Sequence, residues 1–449
     1  MNKDTIVAIS TALGQGAISI VRLSGDQAIS ITSKVFKGKD LSKVPSHTVH
    51  YGHIFHNETV IDEVLVTVFK SPRSFTTEDI VEINCHGGVF VANKILQALL
   101  IEGARASNPG EFTERAFLNG RIDLTQAEAV MDIIEAKSDL SLSLANKGLD
   151  GDIYRLIADL RSELLNTIAH IEVNIDYPEY DDVIELSNNL IKPEIEKLIQ
   201  KIKKLLEKAS YGRVIKDGVK TAIIGRPNVG KSSLLNALLR EDKAIVTEIQ
   251  GTTRDTVEGN VNIGGIILNL VDTAGIRESN DLVENIGILK AKAAIEEAEL
   301  ILFVLDNSQT LTEEDKQLLE LTSSKKRIVI VNKTDINKEI LHNFENTVSV
   351  SALNKTGITE LEDLIRSMFL LGEINITDQT YISNSRHIAK LTEAVEALHE
   401  SITAIDNELP IDMAEIDLKN AWQLLGEIIG DTSSTSLLDE LFSKFCLGK

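Results

Sequence analysis

Cysteine is nearly absent: Cys85 and Cys446 are the two in 449 residues, which excludes a disulfide framework and leaves both expected as thiols. Long apolar runs are missing too. No stretch reaches the roughly 20 residues needed to cross a bilayer, and the start, MNKDTIVAISTALGQG, lacks the apolar core of an export signal. A cytoplasmic protein that makes no membrane contact is expected. Basic residues are in short supply, since 46 Lys and Arg face 68 Asp and Glu for a net charge of −22. That balance argues against affinity for nucleic acid through wide, nonspecific phosphate contact, which needs clustered Lys and Arg. If RNA is a substrate, a basic patch or a basic partner must help. Aromatics are few, at 4%, but 43% hydrophobic and 25% charged residues match ordinary globular usage. The length suits about three domains.

What is present changes texture along the chain. Residues 1 to about 118 read as mixed α and β, with strands at Thr5–Ser10, Ala17–Leu23, Val64–Phe69 and Ile80–Asn84 and a helix at Phe90–Leu100. From about Thr125 apolar residues recur at spacings of three and four, as in Leu156, Ile157, Leu160, Leu164, Leu165 and Ile168, which is an amphipathic helix. Helical texture continues across Ile195–Leu206 and returns at Leu391–Leu398 and Ala421–Ile429. Between these, strands at Lys220–Ile224, Ile266–Val271, Leu300–Leu305 and Arg327–Val331 alternate with helical segments, the pattern of a parallel α/β sheet. A helical domain made of two chain segments, with an α/β domain inserted, is the simplest arrangement.

The inserted region carries chemistry. GRPNVGKSS, from Gly225, follows an apolar strand and opens the periodic helix Ser233–Leu239, so it matches the phosphate loop G-x-x-x-x-G-K-[ST] in its required context. Gly225 and Gly230 let backbone wrap phosphate, amides and the helix N-terminus face the anion, and Lys231 neutralises β and γ oxygens. Ser232 is the expected magnesium ligand. Thr252 and Thr253 follow in a Gly-flanked loop, where a threonine can cap magnesium and sense the γ-phosphate. In VDTAG, Asp272 stands at the end of a buried strand to hold magnesium through water, and Gly275 offers an amide to the γ-phosphate. Alone, D-T-A-G would be a turn; in this order it is a nucleotide motif. NKTD, Asn332 to Asp335, selects the base: the Asp335 carboxylate accepts from guanine N1–H and its 2-amino group, donors that adenine lacks in that arrangement. Ser351, Ala352 and Leu353 form SAL, with an amide near Ala352 for guanine O6. The nucleotide is GTP.

One departure from a Ras-type site is informative. Ile276 stands after the DTAG glycine, where a glutamine usually orients the attacking water. Arg277, Glu278, Asp281 and Glu284 are candidate helpers, each of which would more often be a solvated charge, and Arg254 is a weak candidate for a cis arginine finger. A monovalent cation could supply the same charge, with Asn228 as an oxygen ligand.

Over essentially its whole length the sequence resembles the tRNA modification GTPase family MnmE, also called TrmE. The likeness rests on DTIVAIST, on SFTTEDIVEINCHGG at Ser74–Gly88, on NPGEFTERAFLNGRIDLTQAEA at Asn108–Ala129, on the nucleotide motifs, and on the terminal FCLGK at Phe445–Lys449. It implies a multidomain fold, α/β plus α: an N-terminal α+β, folate-binding-like and dimerising domain over 1–118, a discontinuous helical domain over 119–215 and 376–449, and an inserted Ras-like P-loop G domain over 216–375. It implies a homodimer that acts with the FAD protein MnmG (GidA), in a heterotetramer or larger complex, on C5 of the wobble uridine of tRNA. The group installed is carboxymethylaminomethyl or aminomethyl. The implied folate is 5-formyl- or 5,10-methylene-tetrahydrofolate, with contacts at Arg22, Glu82, Arg121 and Lys449. Arg121 stands where lysine is also used, which keeps charge but changes geometry.

By the same resemblance, GTP touches Asn228, Val229, Gly230, Lys231, Ser232 and Ser233, then Thr247, Glu248, Ile249, Gln250, Gly251, Thr252 and Thr253. It also touches Asp272, Thr273, Ala274 and Gly275, and then Asn332, Lys333, Asp335, Ser351, Ala352 and Leu353. Magnesium falls to Ser232 and Thr253, potassium to Asn228, Thr247, Ile249 and Thr252, and water orientation to Glu284. Cys446 is read as a catalytic thiol or a small packing residue, with packing favoured on base rates. Cys85 and His86 have no further ligands at metal-binding spacing. A rival, a ribosome-assembly GTPase of the Era or Der type, would need a basic GXXG module or a second G domain, and neither is found. A second rival is a slow signalling switch. The chain has no dinucleotide fingerprint, so redox chemistry would come from the partner.

Overall fold

The computed structural model describes residues 4–176, 190–240, 259–271, 293–336, 344–369, 381–432 and 435–449. In chain order its strands are β1 (Ile6–Ile9), β2 (Ile18–Ser24), β3 (Phe36–Gly38), β4 (Thr48–His56), β5 (Thr59–Phe69), β6 (Ile80–His86) and β7 (Arg105–Ala106). The strands β8 (Val219–Ile224), β9 (Gly259–Ile263), β10 (Ile266–Leu270), β11 (Leu300–Asp306), β12 (Lys326–Asn332) and β13 (Thr347–Ser349) follow. The helices are α1 (Ala28–Val35), α2 (Val89–Ile101), α3 (Glu111–Leu118), α4 (Leu124–Glu135), α5 (Asp139–Leu149), α6 (Asp152–Asp176) and α7 (Lys192–Asp217). They continue with α8 (Lys231–Arg240), α9 (Glu313–Leu321), α10 (Ile358–Phe369), α11 (Ser385–Asp406), α12 (Ile411–Ile429) and α13 (Thr435–Ser443). The chain is thus mixed α/β with a helical part, in two compact units: residues 1–131, 149–162 and 422–449, and residues 132–148 and 163–421.

The first unit is built on a seven-stranded sheet in the order β3-β4-β5-β6-β2-β1-β7, antiparallel except for β1 against β7. Period-two alternation decides which side chains face its helices. On β2, Val21 and Leu23 point in; on β6, Val81, Ile83 and Cys85 do, meeting Ile95 and Leu99 of α2 in one apolar core. Arg22 and Glu82 therefore share the other face, and the register sets them opposite each other. A smaller cluster joins Leu124 and Ala127 of α4 to Phe442 and Phe445, fixing the end of the chain within this unit.

The second unit holds a six-stranded sheet in the order β13-β12-β11-β8-β10-β9. It is parallel from β13 to β10, and its strands are apolar almost throughout because both faces are covered. The all-parallel reading needs one correction: β9 pairs antiparallel with β10. The two are joined by the turn Gly264–Gly265, and a two-residue hairpin can join only antiparallel neighbours. Helix α7 starts with a proline in its first turn and buries Ile195, Leu198, Ile199, Ile202, Ala209 and Ile215, a three-and-four spacing. It packs on α11, whose N-cap Asn384 accepts from the Arg386 amide.

Candidate functional site

The order β8, loop, α8 presents the phosphate-loop residues at the end of a central strand. Lys231 Nζ donates to the carbonyls of Gly225 at 2.6 Å and Arg226 at 2.9 Å. Burial pushes the Lys231 ammonium pKa down, so an anion beside it would restore a charge that desolvation disfavours. Asn228 is exposed at the loop tip with a left-handed backbone, φ 65°. Val229 is buried, whereas Ser232 and Ser233 are exposed at the start of α8. Gly230 cannot be replaced cheaply, because a Cβ there would lie 2.2 Å from Asn332 Nδ2.

That contact belongs to a hub. Asn332, buried at the end of β12, donates from Nδ2 to Val229 O at 2.9 Å and accepts at Oδ1 from Ala352 N at 3.1 Å. One side chain thus joins the phosphate loop, the NKTD segment and the SAL segment. Lys333, also left-handed at φ 66°, donates to Asn228 O at 2.8 Å and to Asp306 Oδ2 at 2.7 Å. Burial alone would raise the pKa of the Asp306 carboxyl, but bonds from Lys333 and Ser308 outweigh it and hold it below the usual range. Asp335 is exposed, and its Oδ1 accepts from Ser351 Oγ at 2.6 Å. Leu353 is 80% exposed beside them. Asp306 was missed by sequence reasoning; its signal was an acidic residue closing the otherwise apolar strand LILFVLD.

Several expectations lie outside the described residues: Thr247, Glu248, Ile249, Gln250, Gly251, Thr252, Thr253, Asp272, Thr273, Ala274, Gly275 and Glu284. Among the described residues no group of three or more His, Cys, Asp or Glu could hold a metal. Ser232 offers a hard hydroxyl oxygen, a donor suited to magnesium that keeps phosphate and water ligands.

A second set of side chains converges in the first unit. Arg22 Nε and Nη2 both lie 2.8 Å from Glu82 Oε1, and Arg22 Nη1 donates to Gly448 O at 3.2 Å, which Ser10 Oγ also reaches at 3.1 Å. The chain end is held further by Lys449 N on Cys446 O at 3.3 Å and by Gly110 N on Cys446 O at 3.4 Å. Burial first, and then the Arg22 charge, pushes the Lys449 amine pKa down. Arg22, Glu82 and Lys449 line a chamber of about 190 Å³ with Phe69, Phe75 and Ile80. Arg121 lies beside it: it donates to Phe75 O at 3.2 Å and sits 4.9 Å over the Phe75 ring. Cys446 is exposed, whereas Cys85 is buried and burial pushes its thiol up to about 11. Both cysteines are free.

A strand, glycine loop, lysine and helix tied through one asparagine to a guanine-reading tetrapeptide define a P-loop GTPase. Comparison with known proteins narrows the class. The family model "GTP-binding protein TrmE N-terminus" matches residues 5–121, and "MnmE helical domain" matches residues 124–446. The tRNA modification GTPase MnmE of Bacillus mycoides (strain KBAB4) is 53% identical over 458 residues, covering 100% of both chains. That of Enterococcus faecalis (strain ATCC 700802 / V583) is 54% identical over 460 residues, covering 100% of this chain and 99% of the other. Among solved structures, the G domain of the T. maritima FeoB iron transporter is 28% identical, covers 33% of this chain and 96% of that one, and superposes with a TM-score of 0.26. The chain belongs to the MnmE (TrmE) family of tRNA modification GTPases. It is a GTP hydrolase with a role in tRNA modification. Among the described residues no helix is long and apolar enough to cross a membrane.

Proposed function

We propose that GTP hydrolysis opens and closes paired G domains, and that this motion organises formation of a carboxymethylaminomethyl or aminomethyl group at C5 of the tRNA wobble uridine. The working unit is a cytoplasmic homodimer assembled through residues 1–118, acting with the FAD protein MnmG in a heterotetramer or larger complex that supplies redox chemistry and much of the tRNA contact. The observation that supports this reading is two separate gatherings of polar side chains, of different chemistry, in one chain. One is organised round Asn332 for a guanine nucleotide, and the other gathers Arg22, Glu82 and Lys449 in an aromatic-walled chamber.

In the nucleotide site Asp335 reads the guanine amidine edge and Lys231 leaves its carbonyl partners for phosphate. Ser232 and Thr253 would hold magnesium, which would neutralise phosphate charge. Asn228, Thr247, Ile249 and Thr252 would hold potassium, which would supply the charge of an arginine finger, and Glu284 would orient water. In the chamber the residues fit a tetrahydrofolate. A reduced pterin presents the same ring N–H and 2-amino pair as guanine, and Glu82 is the matching acceptor, with Phe69 and Phe75 as walls. A 5,10-methylene form would supply the carbon at its own oxidation level, whereas a 5-formyl form would also need two electrons, which the partner's reduced flavin could give.

An Era- or Der-type role in ribosome assembly is not favoured, because the full-length relatives are tRNA modification GTPases. Mass analysis of wobble nucleosides from cells lacking this chain tests the reading: C5-modified uridine should disappear, and unchanged nucleosides would refute it. For the cation, hydrolysis should be faster in potassium than in sodium salts. Glu284→Ala should turn over much more slowly while still binding GTP. Equal rates in the two salts would remove the potassium assignment.

A further inference from the structure

Beside the Arg22–Glu82–Lys449 chamber lies a larger, open cavity of about 480 Å³. Phe69 and Phe75 line both, so the two adjoin at shared aromatic walls. The polar lining of the larger cavity is His47, Arg73, Arg121, Ser74, Thr77 and Asn119, and no Asp or Glu lines it. In a chain of net charge −22 this is anomalous. Elsewhere in the unit arginines are neutralised: Arg22 by Glu82, Arg105 and Arg115 by Asp4 and Glu111, Arg161 by Asp431. Arg73 and Arg121 form no ion pair among the described residues.

The cavity wall is also held in shape. His47 and Thr77 both have left-handed backbones, φ 62° and 63°, which is costly for a β-branched threonine. Fixed bonds maintain it: His47 N to Val68 O at 2.7 Å, Ser71 Oγ to Thr77 O at 2.8 Å, and Asn119 Nδ2 to Thr76 O at 2.7 Å. Two guanidiniums and an imidazole on a preorganised rim, with no competing carboxylate, suit a flexible chain of carboxylates.

We propose that this cavity reads the γ-linked glutamate tail of the folate, so that the protein takes polyglutamylated tetrahydrofolate in preference to the monoglutamate. The inference rests on the folate reading of the adjoining chamber. There the pterin meets Glu82, the benzoyl group passes Phe75, and Arg121 receives the first carboxylate. Each further γ-glutamyl unit adds one α-carboxylate, and Arg73 is the specificity-determining residue for those beyond the first.

The test is calorimetric titration of the full-length protein with 5-formyl-tetrahydrofolate bearing one or five glutamates. Wild type should bind the pentaglutamate about tenfold tighter, and high salt should shrink that ratio. Arg73→Ala should bring the ratio to within about twofold while changing monoglutamate affinity little, which also shows that the variant folds. Glu82→Ala should weaken both forms and leave the ratio intact. Equal affinity of the two forms for wild type, or an undiminished ratio in Arg73→Ala, would overturn the tail site while leaving the folate reading standing. Failure of both forms to bind wild type would overturn the folate reading and the tail site with it.

Discussion

In the proposed function Asp335 and Glu82 are two carboxylates that would meet the same chemical edge, a ring N–H beside an amino group, and the protein supports them in opposite ways. Asp335 is exposed at the end of a short motif and is oriented by a neutral hydroxyl, Ser351 Oγ at 2.6 Å. Glu82 sits mid-strand, 20% exposed, and is held by the guanidinium of its cross-strand neighbour Arg22. The nucleotide site is built from contiguous loops because backbone amides and carbonyls do much of its work, so the residues have to be consecutive. The chamber gathers side chains from distant positions, 22, 82 and 449, brought together by strand register and by the packing of the chain end.

If this contrast is right, the largest single effect should come from Asp335→Asn. It replaces an acceptor of two bonds with an amide that can donate to the 2-oxygen of xanthine. GTP affinity should fall about a hundredfold while xanthosine triphosphate binding appears, measured by competition with a fluorescent nucleotide. Retained GTP preference would break the assignment of the base-reading carboxylate. Next, Gly110→Val should damage the chamber at a distance. A Cβ at Gly110 would lie 2.5 Å from Phe442 O and 2.9 Å from Phe445 Cβ, so the segment carrying Gly448 and Lys449 must shift. Folate affinity should fall about tenfold with GTP hydrolysis retained, a dissociation that a general folding defect would not produce.

A smaller effect sharpens the inside and outside of the same sheet. Cys85 points into the core with its thiol raised to about 11, while Cys446 is exposed. Under native conditions near neutral pH, iodoacetamide should label Cys446 and leave Cys85 unlabelled until the protein is unfolded, as peptide mass mapping would show. The smallest effect concerns Asp306. Its folded pKa is depressed, so its pairing with Lys333 adds stability fully present above the unfolded value of about 3.9 and lost as pH falls through the lower folded value. Thermal melts of wild type and Asp306→Asn should therefore differ at neutral pH and converge below about pH 4.

The nucleotide motifs were legible because each is a short string in a required strand and helix context: Gly225 and Asp335 fall on loops, Lys231 opens α8 and Asn332 closes β12, as that context implies. The main strands and long helices were legible from periodicity, as in Ile80–His86 and Lys192–Asp217. Strand β4 was not read: TVHYGHIFH mixes histidines and glycine into both faces, and pairing along β5 shows it as a strand. The antiparallel β9 was not read, because GNVNI is short and carries two asparagines, and its pairing with β10 shows it as a strand. The four proposed folate residues came from family likeness, since nothing local marks Arg22 or Glu82 as more than surface charges. Alternation along β2 and β6 could have put them on one face; it could not have brought Lys449 to them. Asn332 as a hub was equally invisible, because its partners Val229 and Ala352 are 103 and 20 residues away.

The central claim is that both sites serve one product. It is tested most directly by quantifying wobble nucleosides in cells whose only copy of this protein carries either Asp335→Asn or Glu82→Ala. The account predicts that C5-modified uridine is lost in both strains. Full modification in either one, with the corresponding ligand affinity abolished in the purified variant, would contradict it.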